Sequence, residues 1–152
     1  MDNIKVNFDK KQIERFSEIS ENLPDIVSKK MNQLTIKLTN KIKKDKLSGQ
    51  VLKVQTGRLR NSIHNNVLKI GSKIIGEVST NVKYAAIHEY GFSGSQTVKA
   101  HLRKLKNSKQ INVRSFTRNM KMPERSFMRS SLEEMKDEII NSLNSTIFKE
   151  FK

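Results

Sequence analysis

HNNVLKIGSKIIGEVST, residues 64–80, sets two short apolar-rich runs on either side of Gly71-Ser72. A Gly-Ser dipeptide between such runs suits a tight hairpin turn, so His64–Ile70 and Lys73–Thr80 are expected to pair as antiparallel strands. The flanks of this hairpin make the chain α+β rather than all-β. Upstream, Ile13, Phe16, Ile19, Leu23, Val27, Met31, Leu34, Leu38 and Ile42 recur at steps of three and four, the mark of an amphipathic helix. Pro24 lies inside this stripe and must kink a helix or open a second one, and the spacing predicts helices over 9–22 and 24–46. Lys29, Lys30, Lys37, Lys41, Lys43 and Lys44 read as a solvated face of the second. Downstream, Met128, Leu132, Met135, Ile139, Leu143, Ile147 and Phe151 form another helical stripe, with Ser130 and Glu133 spaced as a capping box.

Two short helices are expected next to the hairpin. Thr56 stands where a cap would precede Gly57-Arg58-Leu59-Arg60-Asn61-Ser62-Ile63, and Val82 to Tyr90 has helical spacing ended by Gly91, where a left-handed cap is wanted. The segment 92–122 carries Lys99, Arg103, Lys104, Lys106, Lys109, Arg114, Arg118 and Lys121, and no acid. Within it VKAHLRK (98–104) resembles VRSFTRN (113–119). Reflection about Asn107-Ser108 pairs Leu102 with Val113, Ala100 with Ser115 and Val98 with Thr117, putting the small and apolar residues on one face of a long hairpin arm. The other face then carries Lys99, His101, Arg103, Arg114, Phe116 and Arg118. Like charges so close across a ladder repel, which implies an anionic partner.

The resulting expectation is a single domain over residues 1–152. It has an N-terminal helical segment (1–47), a small antiparallel sheet with the basic arm (92–122) as an insertion, and N- and C-terminal amphipathic helices packed on the sheet. A chain of 152 residues is long enough to bury a core without disulfides, and it has no cysteine. No stretch approaches a membrane span, and MDNIKVNFDKK lacks the pattern of a secretory signal, so a soluble, cytoplasmically made protein is expected.

The net charge of +15 is unevenly placed. Residues 1–25 hold four bases and six acids, residues 26–123 hold twenty-one bases against Asp45, Glu77 and Glu89, and residues 124–152 hold five bases and six acids. A basic centre between acidic ends can face nucleic acid or the ends of another copy. Catalytic parts are hard to find. Without cysteine there is no thiol chemistry, and His64, His88 and His101 have no spacing that binds a metal from one helix face. Gly71, Gly76, Gly91 and Gly94 are not followed by the Lys-Ser or Lys-Thr of a phosphate-cradling loop. The paired acids Glu133-Glu134 and Asp137-Glu138 read as solvated helix surface. No enzyme, cofactor or metal is expected.

Thr56-Gly57-Arg58-Leu59-Arg60-Asn61-Ser62-Ile63, then Asn81-Val82-Lys83-Tyr84-Ala85-Ala86-Ile87-His88-Glu89-Tyr90-Gly91, then Pro123-Glu124-Arg125-Ser126-Phe127-Met128-Arg129 together resemble a known family. They are similar to the tail-completion and head-to-tail joining proteins of tailed bacteriophages, also called virion morphogenesis proteins. There, TGxLRxSI, YAxxHExG and Pro-x-Arg-x-Phe-x-Arg segments follow in this order, with a variable insertion between the last two. Ser126 and Ser130 stand where that family often has prolines. The resemblance implies a structural virion protein of the tail or neck, assembled in the bacterial cytoplasm and without enzymatic activity. Its copies would form a ring, of six, on the head-proximal end of the tail. Its partners would be the tail tube or tail terminator protein and the head connector proteins.

On their chemistry alone, Gly57 and Gly91 read as turn or cap residues, Leu59, Ile63, Tyr84, Ile87 and Phe127 as core, and His88-Glu89 as a helix-end pair. Arg58, Arg60, Arg125 and Arg129 read equally as subunit contacts. The rival function is a DNA-binding protein that lays the arm in a groove as a β-ribbon, for which eight bases supply nonspecific affinity.

Overall fold

Helix α1 (Lys10–Lys41) is a single 32-residue rod opened by a capping box between Asp9 and Gln12. Here a computed structural model describes residues 9–52, 54, 56–106 and 108–152. The expected break at Pro24 does not occur, and Pro24 sits inside the helix. The missing amide costs one backbone bond. The apolar stripe nevertheless keeps its phase across it, from Phe16 through Leu23 and Val27 to Leu34, and only one unbroken helix keeps that stripe in register. Beyond Lys41 the rod continues as a π-turn, Ile42–Lys46, in which the Leu47 amide donates to the Ile42 carbonyl at 3.1 Å. This wider turn lets Ile42 and Leu47, five residues apart, both enter the core.

Helix α2 (Arg58–Ser62) follows, and then β1 (His64–Ile70) pairs with β2 (Lys73–Ser79), from His64↔Ser79 to Ile70↔Lys73 around the expected turn. α1 lies across one face of this hairpin. The approach is so close that a Cβ on Gly76 would stand 2.7 Å from the Met31 sulfur and from the Thr35 methyl, so only glycine fits. Lys69 reaches Asp25 at 3.4 Å on the same side. The outer face, with Leu68, Ile70 and Ile75, remains exposed.

Helix α3 (Ala85–Tyr90) ends at Gly91, and β3 (Phe92–Val98), β4 (His101–Lys104), β5 (Gln110–Val113) and β6 (Phe116–Met122) form the arm. The strands are not one sheet: β1 pairs with β2, β3 with β6 and β4 with β5, as three two-stranded ladders. The arm's register differs from the expected one by one residue. His101, not Leu102, faces Val113, and Phe116, not Thr117, faces Val98. The cause lies in the connection: the Leu105 amide donates to the Lys109 carbonyl at 2.8 Å, and Ser108 takes a φ of 62°. Three residues therefore separate the closing pair, where reflection about Asn107-Ser108 assumes two. Asn107 itself lies outside the described residues.

A slip of one residue exchanges the faces of a strand. Arg103 now faces Ile111, Lys104 faces Gln110, Arg118 faces Gln96 and Lys121 faces Ser93, and no two of the arm's bases are direct partners in either ladder. Leu102 is left 68% exposed.

Helix α4 (Met128–Glu150) runs back along α1. It starts two residues before the expected Ser130 cap. Lys37 pairs with Glu138, and Lys41 reaches Glu134 at 2.9 Å, together with Lys46. These are exposed pairs, worth at most about 1 kcal/mol each, and they set the alignment of the helices more than their stability. The core forms where the C-terminal end of α1, the π-turn and the start of α4 meet: Leu38, Ile42, Leu47, Leu52, Ile63, Val82, Ala85, Phe127 and Met135. Phe127 is fully buried at its centre. Truncation of Phe127 to alanine is expected to cost about 3–5 kcal/mol by the usual large-to-small rule, measured by urea unfolding.

Candidate functional site

The second and third family motifs meet at one carboxylate. α3 places Glu89, only 4% exposed, against the first turn of α4, where helix amides have no partner within the helix. Its Oε2 accepts from the amides of Phe127 (2.8 Å) and Met128 (3.0 Å). Its Oε1 accepts from the Arg129 amide (2.9 Å), the Ser126 hydroxyl (2.9 Å) and Arg129 Nε (3.3 Å). Glu89 thus caps α4 from 38 residues upstream in sequence. Burial pushes this carboxyl up, but the amides of Met128, Arg129 and Phe127 and the Ser126 hydroxyl outweigh it and hold it below its ordinary value.

Arg129 completes the knot. Its guanidinium donates to the Glu89 carbonyl at 3.0 Å and to Glu124 at 2.6 Å, and it lies 4.6 Å over the Tyr90 ring. The Arg125 amide bonds the His88 carbonyl at 2.8 Å. Ser130 does not act as the cap: its hydroxyl donates back to the Ser126 carbonyl, and its amide donates to Ser126 Oγ. Ser126 is therefore a functional departure from proline, because its hydroxyl serves both Glu89 and Ser130. A small polar residue before a helical stripe is the signal that could have found it. Glu89 was not legible as a cap, because its partners are remote in sequence.

Gly91 shows why the middle motif ends in glycine. It adopts φ 75°, ψ 175°, a region open essentially to glycine alone and not the left-handed cap expected. A Cβ there would stand 2.9 Å from the Glu124 amide nitrogen and 3.0 Å from the Met122 carbonyl oxygen. Gly91→Ala is expected to cost at least about 2 kcal/mol, from strain plus the displaced β6–α4 connection, read as a lowered melting temperature.

The remaining motif residues gather elsewhere. Gly57, not Thr56, directly precedes α2, while the Thr56 hydroxyl accepts from the Arg58 amide at 3.4 Å. Leu59 packs against the core, Ala85 is buried and Pro123 is exposed. Tyr84 meets His88 edge-on, with ring centroids 5.9 Å apart. Arg58, Arg60, Tyr84, His88 and Arg125 line one cleft of about 920 Å³. Nδ1 of His88 is buried there without a hydrogen bond among the described residues. Burial, and then the charge of Arg125, lowers its pKa from 6.5, so the imidazole is neutral at pH 7.

The second surface is the arm, carrying Lys99, Arg103, Lys104, Lys106, Lys109, Arg114, Arg118 and Lys121. Its strands pair with one another and make no extended contact with α1 or α4. Arg103, Lys104, Arg114 and Arg118 form no ion pair among the described residues. The structure therefore separates the sequence-predicted residues into a knot of intramolecular bonds (Glu89, Gly91, Phe127, Arg129), a cleft (Arg58, Arg60, Tyr84, His88, Arg125) and a basic arm. Among the described residues no group of His, Asp or Glu is arranged to hold a metal, and no helix is long and apolar enough to cross a membrane.

Neither a curated protein nor a solved structure matches the chain. The phage virion morphogenesis family does match, over residues 32–147, which takes in the knot, the cleft, the arm, the C-terminal end of α1 and most of α4. With three quarters of its length matched, including all three motifs, the chain belongs to the phage virion morphogenesis family.

Proposed function

We propose that this phage assembly protein is a tail-completion, or neck, component. Copies of it form a ring, of six, at the head-proximal end of the tail and join that end to the head connector, so that the mature protein resides in the virion. The observation that carries this reading is the arm: a paired ribbon without extended contact to α1 or α4, on which Arg103, Lys104, Arg114 and Arg118 form no ion pair among the described residues. Such an arm suits repeated contacts between neighbouring subunits or with the proteins above and below. The tail tube or terminator protein and the head connector are the partners in this reading, and contact with the genome passing through the ring is nonspecific.

Mass measurement over a concentration series, with and without tails lacking this protein, tests the proposal. Hexamers on the tail ends are the expected result, whether or not the free chain is monomeric. A chain that never joins a tail would contradict it.

A further inference from the structure

The cleft has core residues in its floor, Leu47 and Leu52, but its arginines take no part in the knot's ion pairs. Arg129, the one motif arginine with carboxylate partners, belongs to the knot, whereas Arg58, Arg60 and Arg125 line the cleft and form no ion pair among the described residues. Leu52 and Val54 contribute apolar walls, and among the described residues no acidic side chain lines it. At about 920 Å³ it is at the large end of the range of ligand pockets, roughly 300–1,000 Å³. Three arginines around an apolar hollow fit carboxylates presented beside an apolar side chain. A DNA duplex is too wide to enter such a hollow and could touch only its rim.

The opposite end of the same chain presents that chemistry. On α1, Glu14, Glu18, Glu21 and Asp25 follow at steps of four, three and four, which makes one acidic row. Ile13 borders the row and is 59% exposed. Glu18 and Glu21 form no ion pair among the described residues. The cleft begins at Leu47, beyond the far end of the rod, and at about 1.5 Å per residue some 45 Å of helix separates it from Glu14. The two surfaces cannot meet within one molecule.

We propose that the arginine cleft of one copy receives the N-terminal part of α1, around Ile13 to Glu21, from a second copy. Different surfaces then meet on the two partners, a head-to-tail contact that closes into a ring when the rotation permits. The inference rests on the ring reading and identifies which surfaces build it.

Charge exchange tests it, read as self-association on tails. Arg58→Glu with Arg60→Glu, or Glu18→Arg with Glu21→Arg, should each weaken association at least about tenfold, and all four together should restore most of it. Circular dichroism melting checks that each variant folds. Because the chain has no cysteine, a second measurement needs no folding assumption about arginine variants. A Thr56→Cys chain mixed with a Glu18→Cys chain should give dimers with a short bis-maleimide, and neither chain alone should. Rings that persist in all the charge variants, or no cross-linked dimers while wild-type rings form, would overturn the docking but leave the ring. A wild-type chain that forms no ring would overturn the ring reading itself. Variants that lose DNA binding yet assemble normally would assign the cleft to nucleic acid instead.

Discussion

Glu89→Ala is expected to lower stability by about 3–5 kcal/mol, because it removes a buried acceptor that satisfies three amides, one buried and two part-buried, and leaves a hole under the first turn of α4. For a chain of this size that is about 10–15 °C in melting temperature. Glu89→Gln keeps the shape but lays an amide donor against donors, so an intermediate loss is expected. The same carboxylate sets an acid limit. Its folded pKa lies below the ordinary 4.5, so its stabilisation is complete above pH 4.5 and fades as the pH falls through the folded value. Denaturant midpoints measured from pH 7 to pH 3 should therefore fall for the wild type more steeply than for Glu89→Gln. Parallel curves would show that the cap contributes little.

The part of this knot that was legible in the sequence, and the part that was not, follow from range. Local patterns specified what local forces determine: the stripe of α4 and the Gly71-Ser72 turn of the first hairpin both appear where expected. Pro24 misled because a helix-breaking rule competes with an apolar stripe whose phase rewards continuity. The arm's partners were off by one because register depends on the number of residues between Leu105 and Lys109, and a mirror pattern in the strands does not count them. Glu89 reads as a helix-end pair from its own helix, whereas its partners Ser126 to Arg129 come after the whole arm. Of the candidate contact residues, Arg129 is held by Glu89 and Glu124 of its own chain, while Arg58, Arg60 and Arg125 came together only through tertiary structure.

Replacement of Arg103, Lys104, Arg114 and Arg118 by Glu is expected to abolish the joining of heads to tails while leaving the fold intact. All four are exposed and form no ion pair among the described residues, so the melting temperature should stay within a few degrees, about the ±0.5 kcal/mol of ordinary surface substitutions. In a ring each reversed charge recurs at every subunit, and attraction becomes repulsion at each repeat. Lysates should contain filled heads and separate tails. The wild-type protein should bind unrelated DNA fragments weakly and alike, with affinity falling steeply as salt rises. Normal particles from the Glu variant, together with tight, sequence-selective DNA binding by the wild type, would favour the β-ribbon reading.

The most direct measurement is electron cryomicroscopy of native particles that carry this protein, with the six-fold-averaged neck resolved well enough to dock the chain. The expected result is a ring of copies between the head connector and the first tail-tube ring, with the knot at the centre of each subunit and the arms ordered against neighbouring protein. Particles in which the head-proximal end of the tail holds no density for this chain would contradict it.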